Sequence, residues 1–179
     1  METVTFVDGF GRAVQVKKDG VVTSASKGSS AKDENVMIVS GRNVYDAFGR
    51  VAKAFYPTTE GIGSKSTFSK SFDNVSPTVT VYDVLDRATS VTLPDNSTTT
   101  TAYTVDNGSH ALVTTVTDAL HNVQATHTNG SGKTLKTIQK SGPDGEITTS
   151  FEYDGIQRLV RVTDTEGNVT TSTYDMGEM

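Results

Sequence analysis

Apolar and polar residues alternate with a period of two along much of the chain. Val14 and Val16 show this pattern early in the sequence, and Val160 and Val162 show it near the end. A period of two places the apolar side chains on one face of a β-strand and differs from the 3.6-residue period of a helix. The stretch Leu112–Leu120 is apolar enough for a helix, but it is rich in Val and Thr and has no cap. The pattern therefore predicts an all-β fold.

The second half of the chain is predicted to be a regular antiparallel meander of β-hairpins. Turn sequences separate its short strands, and Asp106-Asn107-Gly108 is a strong hairpin signal among them. The predicted strands are 78–82, 87–93, 97–105, 110–117, 123–128, 133–140, 146–153, 158–163 and 168–174.

The first half is less regular. Residues 27–35 have the composition of a solvated loop, and residues 58–66 are the longest candidate for a flexible loop. We therefore divide the chain into irregular repeats with long loops over 1–77 and a regular hairpin meander over 78–179. The predicted strands of the first half are 3–7, 12–16, 21–26, 36–39, 42–45 and 51–56.

A six-residue motif recurs at the turns between these strands. Tyr45–Arg50 is the best copy, and it returns at Tyr82–Arg87 and Tyr153–Arg158. Val7–Arg12 is an earlier copy without the tyrosine, and Thr117–Asn122 is a degenerate copy without Tyr, Gly or Arg. The aspartates of successive copies are 35 to 38 residues apart. A regular period in this range indicates a repeat architecture.

Each position of the motif has a physical reason. The Asp begins a turn, where its carboxylate accepts a backbone N–H two residues further on. The Gly position provides a positive φ, which the Gln157 of the last full copy suits poorly. The Arg either reaches back to the Asp or lies on an aromatic ring of a neighbouring repeat. The residues assigned to this structural motif are Asp8, Gly11, Arg12, Tyr45, Asp46, Gly49, Arg50, Tyr82, Asp83, Arg87, Tyr153, Asp154 and Arg158.

Two further inferences concern the role of the motif. The residue two positions after each Asp is always apolar, and we expect it to be a plug tucked under the turn; these residues are Phe10, Phe48, Leu85, Leu120 and Ile156. The Asp–Arg pair is either a ligand site or a repeated structural clamp. A catalytic pair has no reason to recur four times in one chain, so the clamp is the favoured interpretation.

The motif resembles that of the RHS/YD-repeat family, whose unit runs from Tyr-Asp through Gly-Arg into a strand, a turn and a returning strand. The last unit fits over its whole length, with Asp164–Asn168 as the turn and 169–174 as the return. The resemblance covers most of the chain. It implies a long antiparallel sheet that spirals into a hollow shell. In bacterial polymorphic and Tc-type toxins, this shell encloses a C-terminal toxic domain.

The resemblance also implies a cellular location and partners for the protein. We expect a piece of a longer bacterial protein that is secreted or located at the cell surface. Its partners would be other repeats of the same parent chain, and open sheet edges would favour edge-to-edge self-association. The family's C-terminal effector and self-cleavage segment are not recognisable in this sequence.

Composition supports a sheet without a thick core. Hydrophobic residues make up 34 % of the 179 residues, and there is no Trp. A compact domain normally has a larger apolar share, so the chain is either largely disordered or a single sheet with water on both faces, and the resemblance implies that such a sheet is curved or spiralling. Abundant β-branched residues at alternating positions favour the sheet.

Charge and residue types exclude several function classes. The net charge of −5 is interspersed and forms no basic groove, so nucleic-acid binding is not expected. No apolar run is long enough to insert into a membrane, and the absence of Cys excludes thiolate metal sites. His110, His121 and His127 do not form a recognisable zinc site, and no nucleophile motif is present. We therefore expect no cofactor, no metal and no enzymatic activity.

The tyrosines are the one surface feature that could bind a ligand. Tyr82 and Tyr153 could stack on sugars, which makes a carbohydrate- or cell-surface-binding module the alternative function. The competing interpretation is a ladder of tyrosines that locks adjacent repeats together, and it is favoured because three of the six tyrosines directly precede a motif Asp.

Overall fold

The computed structural model describes residues 2–24, 30–70, 76–140 and 145–175, and it confirms an all-β fold of antiparallel hairpins. In these residues the single helical element is a 3₁₀ turn, η1 (Ile62–Ser64), and no helix is long and apolar enough to cross a bilayer. The strands are β1 (Thr3–Val7), β2 (Ala13–Ser24), β3 (Lys32–Ser40), β4 (Asn43–Tyr45), β5 (Val51–Ala54), β6 (Thr58–Gly61), β7 (Thr78–Tyr82), β8 (Ala88–Thr92), β9 (Thr98–Asp106), β10 (Ala111–Thr117), β11 (Val123–Thr128), β12 (Thr134–Lys140), β13 (Glu146–Tyr153), β14 (Leu159–Thr163) and β15 (Val169–Thr171).

The chain divides into two compact units. The N-terminal unit takes residues 1–85 and 91–97, and the C-terminal unit takes 86–90 and 98–179. The strand β7 belongs to the N-terminal unit because it pairs with β5, where Lys53 lies opposite Val79.

The strands of the N-terminal unit lie in two sheets rather than one. A four-stranded antiparallel sheet has the order β1-β2-β3-β6, and β5 lies between β4 and β7 in a separate sheet. Residues 21–24 of the expected strand at 21–26 form the end of β2, and residues 32–35 of the expected loop at 27–35 form the start of β3, while residues 25–29 lie outside the described residues. Val21 to Ser24 pair with Lys32 to Asn35, so strand hydrogen bonds satisfy the backbone of these polar residues.

The expected flexible loop at 58–66 is ordered structure. Its first residues form β6, which pairs with β3 so that Val39 lies opposite Thr58. The chain then continues through η1 to Ser69, which is buried. Sequence composition did not indicate this, because the contacts that order the segment come from residues distant along the chain, namely those of β3 and, 43 positions before Glu60, Lys17.

The small core of the N-terminal unit combines apolar and polar side chains. Met37 and Val39 are buried on β3, and Gln15 and Lys17 are fully buried on β2. The Gln15 amide donates to the Ser69 carbonyl at 3.2 Å and accepts from the Ser69 N–H at 2.8 Å. These bonds satisfy the buried amide and fix the segment that follows η1.

The C-terminal unit contains a meander in which β9 to β15 are neighbours in chain order. Each pair is antiparallel, as where Val116 lies opposite Gln124 and Gln139 lies opposite Ile147. The buried apolar side chains of this unit are small, namely Ala111, Val113 and Ala125. The stability of the unit therefore depends on hairpin geometry and on contacts between turns and strands.

Candidate functional site

Seven turns in the described part of the chain share one backbone conformation. In each, the N–H of the first residue donates to the carbonyl of the fifth, and the N–H of the fourth donates to the carbonyl of the first. The fourth residue always has a φ between +65° and +85°. This is the hairpin loop of three residues that ends in the left-handed region. The turns begin at Asp8, Asp46, Leu93, Asp118, Asn129, Asp154 and Asp164.

The shared conformation extends beyond the motif copies recognised in the sequence. Gln157 adopts a φ of +68° although its side chain is unsuited to that region. The turns at Leu93, Asn129 and Asp164 have the same hydrogen bonds without the full motif. The signal that could have found them is a Gly or Asn at the fourth position between two alternating segments.

The motif aspartate clamps its own turn. Asp8 Oδ1 accepts the N–H groups of Phe10 at 2.9 Å and Arg12 at 3.0 Å, and Asp8 Oδ2 accepts from Arg12 Nε at 2.8 Å. Asp46 and Asp154 make the same three bonds to the residues of their own turns. At Asp83 the N–H of Leu85 donates to Oδ1 at 2.8 Å.

The same clamp also forms in turns that have other residues at the first or fifth position. Asn122 and Asn168 replace the arginine, and their amides donate to Asp118 Oδ2 and Asp164 Oδ2 at 2.8 Å. In the turn that begins at Asn129, this asparagine replaces the aspartate, and its Oδ1 accepts the N–H of Lys133 at 2.9 Å. The side-chain clamp thus requires an oxygen at the first position and tolerates changes in charge, whereas the Leu93 turn keeps the backbone conformation without that oxygen.

The clamp also sets the charge state of its carboxylate. The backbone N–H of Arg158 lowers the pKa of Asp154, and the guanidinium of Arg158 adds to this effect against the opposing effect of desolvation. At Asp118 the side-chain amide of Asn122 is the largest influence, and the pKa is again lowered. These aspartates are therefore anionic hydrogen-bond acceptors and not proton donors near neutral pH.

The arginine makes both contacts that the sequence offered as alternatives. While Arg12 holds Asp8, its guanidinium lies 4.2 Å from the ring centre of Tyr45 in a later hairpin. The same cation-over-ring contact occurs at Arg50 and Tyr82 (4.7 Å), Arg87 and Tyr103 (4.0 Å), Lys133 and Tyr153 (5.9 Å), and Arg158 and Tyr174 (4.6 Å).

Each of these five tyrosines also donates its hydroxyl to the backbone. The acceptor is always the carbonyl of the residue directly after the cation, at 2.8 to 3.4 Å. One tyrosine thus contacts a turn through its ring and the following strand through its hydroxyl. The acceptors are Ala13, Val51, Ala88, Thr134 and Leu159.

The two tyrosines considered for sugar stacking take part in these contacts. Tyr82 is half-buried, with Arg50 against its ring and its hydroxyl 3.1 Å from the Val51 carbonyl. Tyr153 is half-buried, with its hydroxyl 3.0 Å from the Thr134 carbonyl. Their hydroxyls and one side of each ring are thus used within the chain, which reduces the surface left for a sugar.

The expected apolar plug under each turn is wrong. The exposed fractions are 87 % for Phe10, 81 % for Phe48 and 81 % for Leu120, and Leu85 and Ile156 are also exposed. The aspartate carboxylate occupies the inside of the turn, where it accepts the N–H of this same apolar residue. The turn therefore directs the apolar side chain outward.

A buried ion pair in the N-terminal unit was not anticipated from the sequence. The Lys17 ammonium is fully buried and donates to Glu60 Oε2 at 2.6 Å and to the Ser64 carbonyl at 2.8 Å. Desolvation raises the pKa of Glu60, but hydrogen bonds from Lys17, Ser69 and Ser64 outweigh it and lower the value to about 2. The alternating pattern of β2 carries no signal that distinguishes Lys17 from an exposed lysine.

In the described ranges, no three His, Asp or Glu residues are grouped so that they could hold a metal ion. The aspartates and arginines of the motif are instead distributed over separate turns and bonded within them. The arrangement can thus hold strands together, and it brings no nucleophile and base into one cleft.

Three crystal structures of TcdB2–TccC3 match this chain. The chain is similar in fold to part of TcdB2–TccC3. The TM-score is 0.61 at 18 % identity for TcdB2–TccC3 with and without its hypervariable C-terminal region, and 0.63 at 19 % for TcdB2–TccC3–TEV. Each match covers 90 % of this chain and 9 % of the TcdB2–TccC3 chain. No protein-family model and no curated protein sequence matches the chain.

Proposed function

We propose that this chain is a non-catalytic structural segment of a bacterial RHS/YD-repeat protein, secreted or at the cell surface, and that it contributes strands to a shell around a C-terminal toxin. The observation that carries this proposal is the series of contacts from Asp to Arg to Tyr to the next carbonyl. At Arg50 one guanidinium contacts Asp46, the Tyr82 ring and the Asp83 carbonyl. Polar groups that bond to one another in this way serve to join hairpins.

The similarity to TcdB2–TccC3 supports the same proposal. It extends over nine-tenths of this chain at a TM-score above 0.6, so it concerns the arrangement of the hairpins and not one motif. TcdB2–TccC3 has a hypervariable C-terminal region, and our proposal likewise places a separate domain at the C-terminus of the parent protein. The chain spans 9 % of that protein, so we propose it as one segment of the wall and not as the whole shell.

The proposed partners are neighbouring repeats of the same parent chain. In the described residues β1 and β6 are the outer strands of the four-stranded sheet, and β15 is an outer strand of the C-terminal unit. Outer strands present unpaired N–H and carbonyl groups to a further strand. These edges are where adjoining repeats would continue the wall.

The test uses the full-length parent protein and measures how fast an added protease cleaves its C-terminal domain. The exchange of Arg50 and Arg158 for glutamine removes the clamp and ring contacts at two turns, and we expect faster cleavage than in the wild type. Arg161→Gln is the matched control, because the Arg161 side chain is 45 % exposed and its guanidinium lies 3.7 Å from Glu152. If the C-terminal domain of the wild-type protein is already freely cleaved, the shell function is refuted.

A glycan array with the 179-residue chain tests the alternative of a carbohydrate-binding module. Because the tyrosine hydroxyls are engaged internally, we expect no specific binding. Specific binding that is lost in a variant carrying Tyr82→Ala and Tyr153→Ala would favour the alternative over a purely structural role.

A further inference from the structure

The sequence contains two Asn-Gly pairs, and both lie in hairpin loops of the C-terminal unit. Asn107-Gly108 is in the loop between β9 and β10, and Asn129-Gly130 is in the loop between β11 and β12. In such a pair the backbone nitrogen of the glycine can attack the asparagine carboxamide, because glycine has no side chain to hinder the approach. The two pairs are alike in sequence, so the fold decides which of them can react.

The side chain of Asn129 is held by its own turn. Its Oδ1 accepts the N–H of Ser131 at 3.0 Å and the N–H of Lys133 at 2.9 Å. Two hydrogen bonds therefore have to break before the carboxamide can turn freely towards the Gly130 nitrogen. The turn thus protects Asn129.

The side chain of Asn107 has no such restraint. Asn107 is exposed, and no described residue forms a hydrogen bond with its side-chain amide. The carboxylate of Asp106 closes this loop instead, because it accepts the Gly108 N–H at 3.0 Å and the Ser109 hydroxyl. The nitrogen that has to attack Asn107 thus already has a proton acceptor bonded to its hydrogen.

We propose that Asn107 is a site of spontaneous deamidation in the folded protein and that Asn129 is protected from it. The Gly108 N–H gives its proton to Asp106 or to water, and the nitrogen forms a bond to Asn107 Cγ. The bond between Cγ and Nδ2 breaks, and Nδ2 takes up the proton and leaves as ammonia. Water then opens the five-membered succinimide to aspartate or isoaspartate, and no group is oxidised or reduced.

Either product changes the hairpin formed by β9 and β10. Aspartate adds a negative charge beside Asp106, whose Oδ2 lies 4.0 Å from His127 Nδ1. Isoaspartate carries the main chain through its side-chain methylene, which lengthens the loop between Asp106 and Ala111, the residues that lie opposite each other at its ends. This slow covalent change is independent of the proposed shell function.

The experiment incubates the complete 179-residue chain in mildly alkaline buffer and follows deamidation by mass spectrometry of chymotryptic peptides. Cleavage after Tyr103 and Leu120 separates the two asparagines, and fragment ions distinguish Asn129 from Asn122. We expect Asn107 to react at least about tenfold faster than Asn129, because two hydrogen bonds restrain only the latter.

The same chain unfolded in guanidinium chloride is the control. Both asparagines precede glycine, so without the fold they should react at similar rates. Equal rates in the folded chain would overturn the proposal, as would an unreacted Asn107 in the folded chain after the unfolded chain has deamidated.

A matched pair of variants tests the attacking nitrogen. Neither Gly108 nor Gly130 has a positive φ, and an added Cβ would meet Asp106 Oδ1 at 3.5 Å at Gly108 and nothing within 4 Å at Gly130, so alanine fits at both positions. Gly108→Ala should slow the reaction of Asn107 at least about tenfold, because the methyl group hinders the attack. Gly130→Ala should leave the rate at Asn107 as in the wild type. An unchanged rate in Gly108→Ala, or an equal loss in Gly130→Ala, would refute the assignment.

Discussion

The buried ion pair between Lys17 and Glu60 provides the sharpest test of how the N-terminal unit is held together. Glu60→Gln preserves the shape of the side chain and removes the negative charge 2.6 Å from a fully buried ammonium. The lysine then keeps the neutral Ser64 carbonyl, at 2.8 Å, as a hydrogen-bond acceptor. Leaving one partner of a buried pair uncompensated lowers the free energy of unfolding by about 3 kcal/mol.

The same pair makes the wild-type protein sensitive to acid. The pKa of Glu60 is lowered from 4.5 to about 2 in the folded protein. A lowered folded-state pKa contributes stability that is complete above pH 4.5 and is lost as the pH falls to 2. At about 1.4 kcal/mol per pKa unit the contribution is at most about 3 kcal/mol. Solvent screening reduces it, because 19 % of the Glu60 side chain is exposed.

Urea unfolding followed by far-ultraviolet circular dichroism measures both effects. The wild type should lose stability between pH 4.5 and 2, and Glu60→Gln should start lower at pH 7 and lose less over that interval. Glu34→Gln removes an exposed carboxylate of the same sheet and serves as the control. Replacing both partners, with Lys17→Met and Glu60→Gln together, should recover much of the loss. A variant Glu60→Gln within about 0.5 kcal/mol of the wild type at pH 7 would refute the reasoning.

Three further predictions concern the turns and the sheet edges. Gln157→Gly should raise the free energy of unfolding by about 1 kcal/mol, because φ is +68° there, and an unchanged urea midpoint would contradict it. Tyr153→Phe removes the hydroxyl bond to the Thr134 carbonyl and should cost about 1 kcal/mol by the same assay, whereas Phe at the exposed Tyr56 should have little effect. The isolated chain should self-associate through outer strands such as β1 and β15, and light scattering that shows monomer at every concentration would contradict this.

The all-β class, the hairpin meander and the positions of most turns could be predicted from the sequence. These features depend on local interactions, because the alternation of side chains defines a strand and an aspartate carboxylate closes a turn within four residues of itself. Asp8 and Asp154 could be recognised as turn residues without knowledge of any distant contact. The left-handed position was recognised from Gly11 and Gly49, and the backbone hydrogen bonds impose it equally on Gln157.

The residues that meet across hairpins could not be predicted, because their contacts form between distant parts of the chain. Arg12 contacts Tyr45 and Arg158 contacts Tyr174 at different separations along the chain, so no fixed spacing identifies the pairs. The burial of Lys17 could not be predicted from the sequence either. Lys17 lies in a pattern that is typical of an exposed lysine, yet β6 and η1 bring Glu60 and Ser64 to it. Local bonds select a turn whatever surrounds it, whereas burial and ring contacts depend on strands that come together only when the sheet forms.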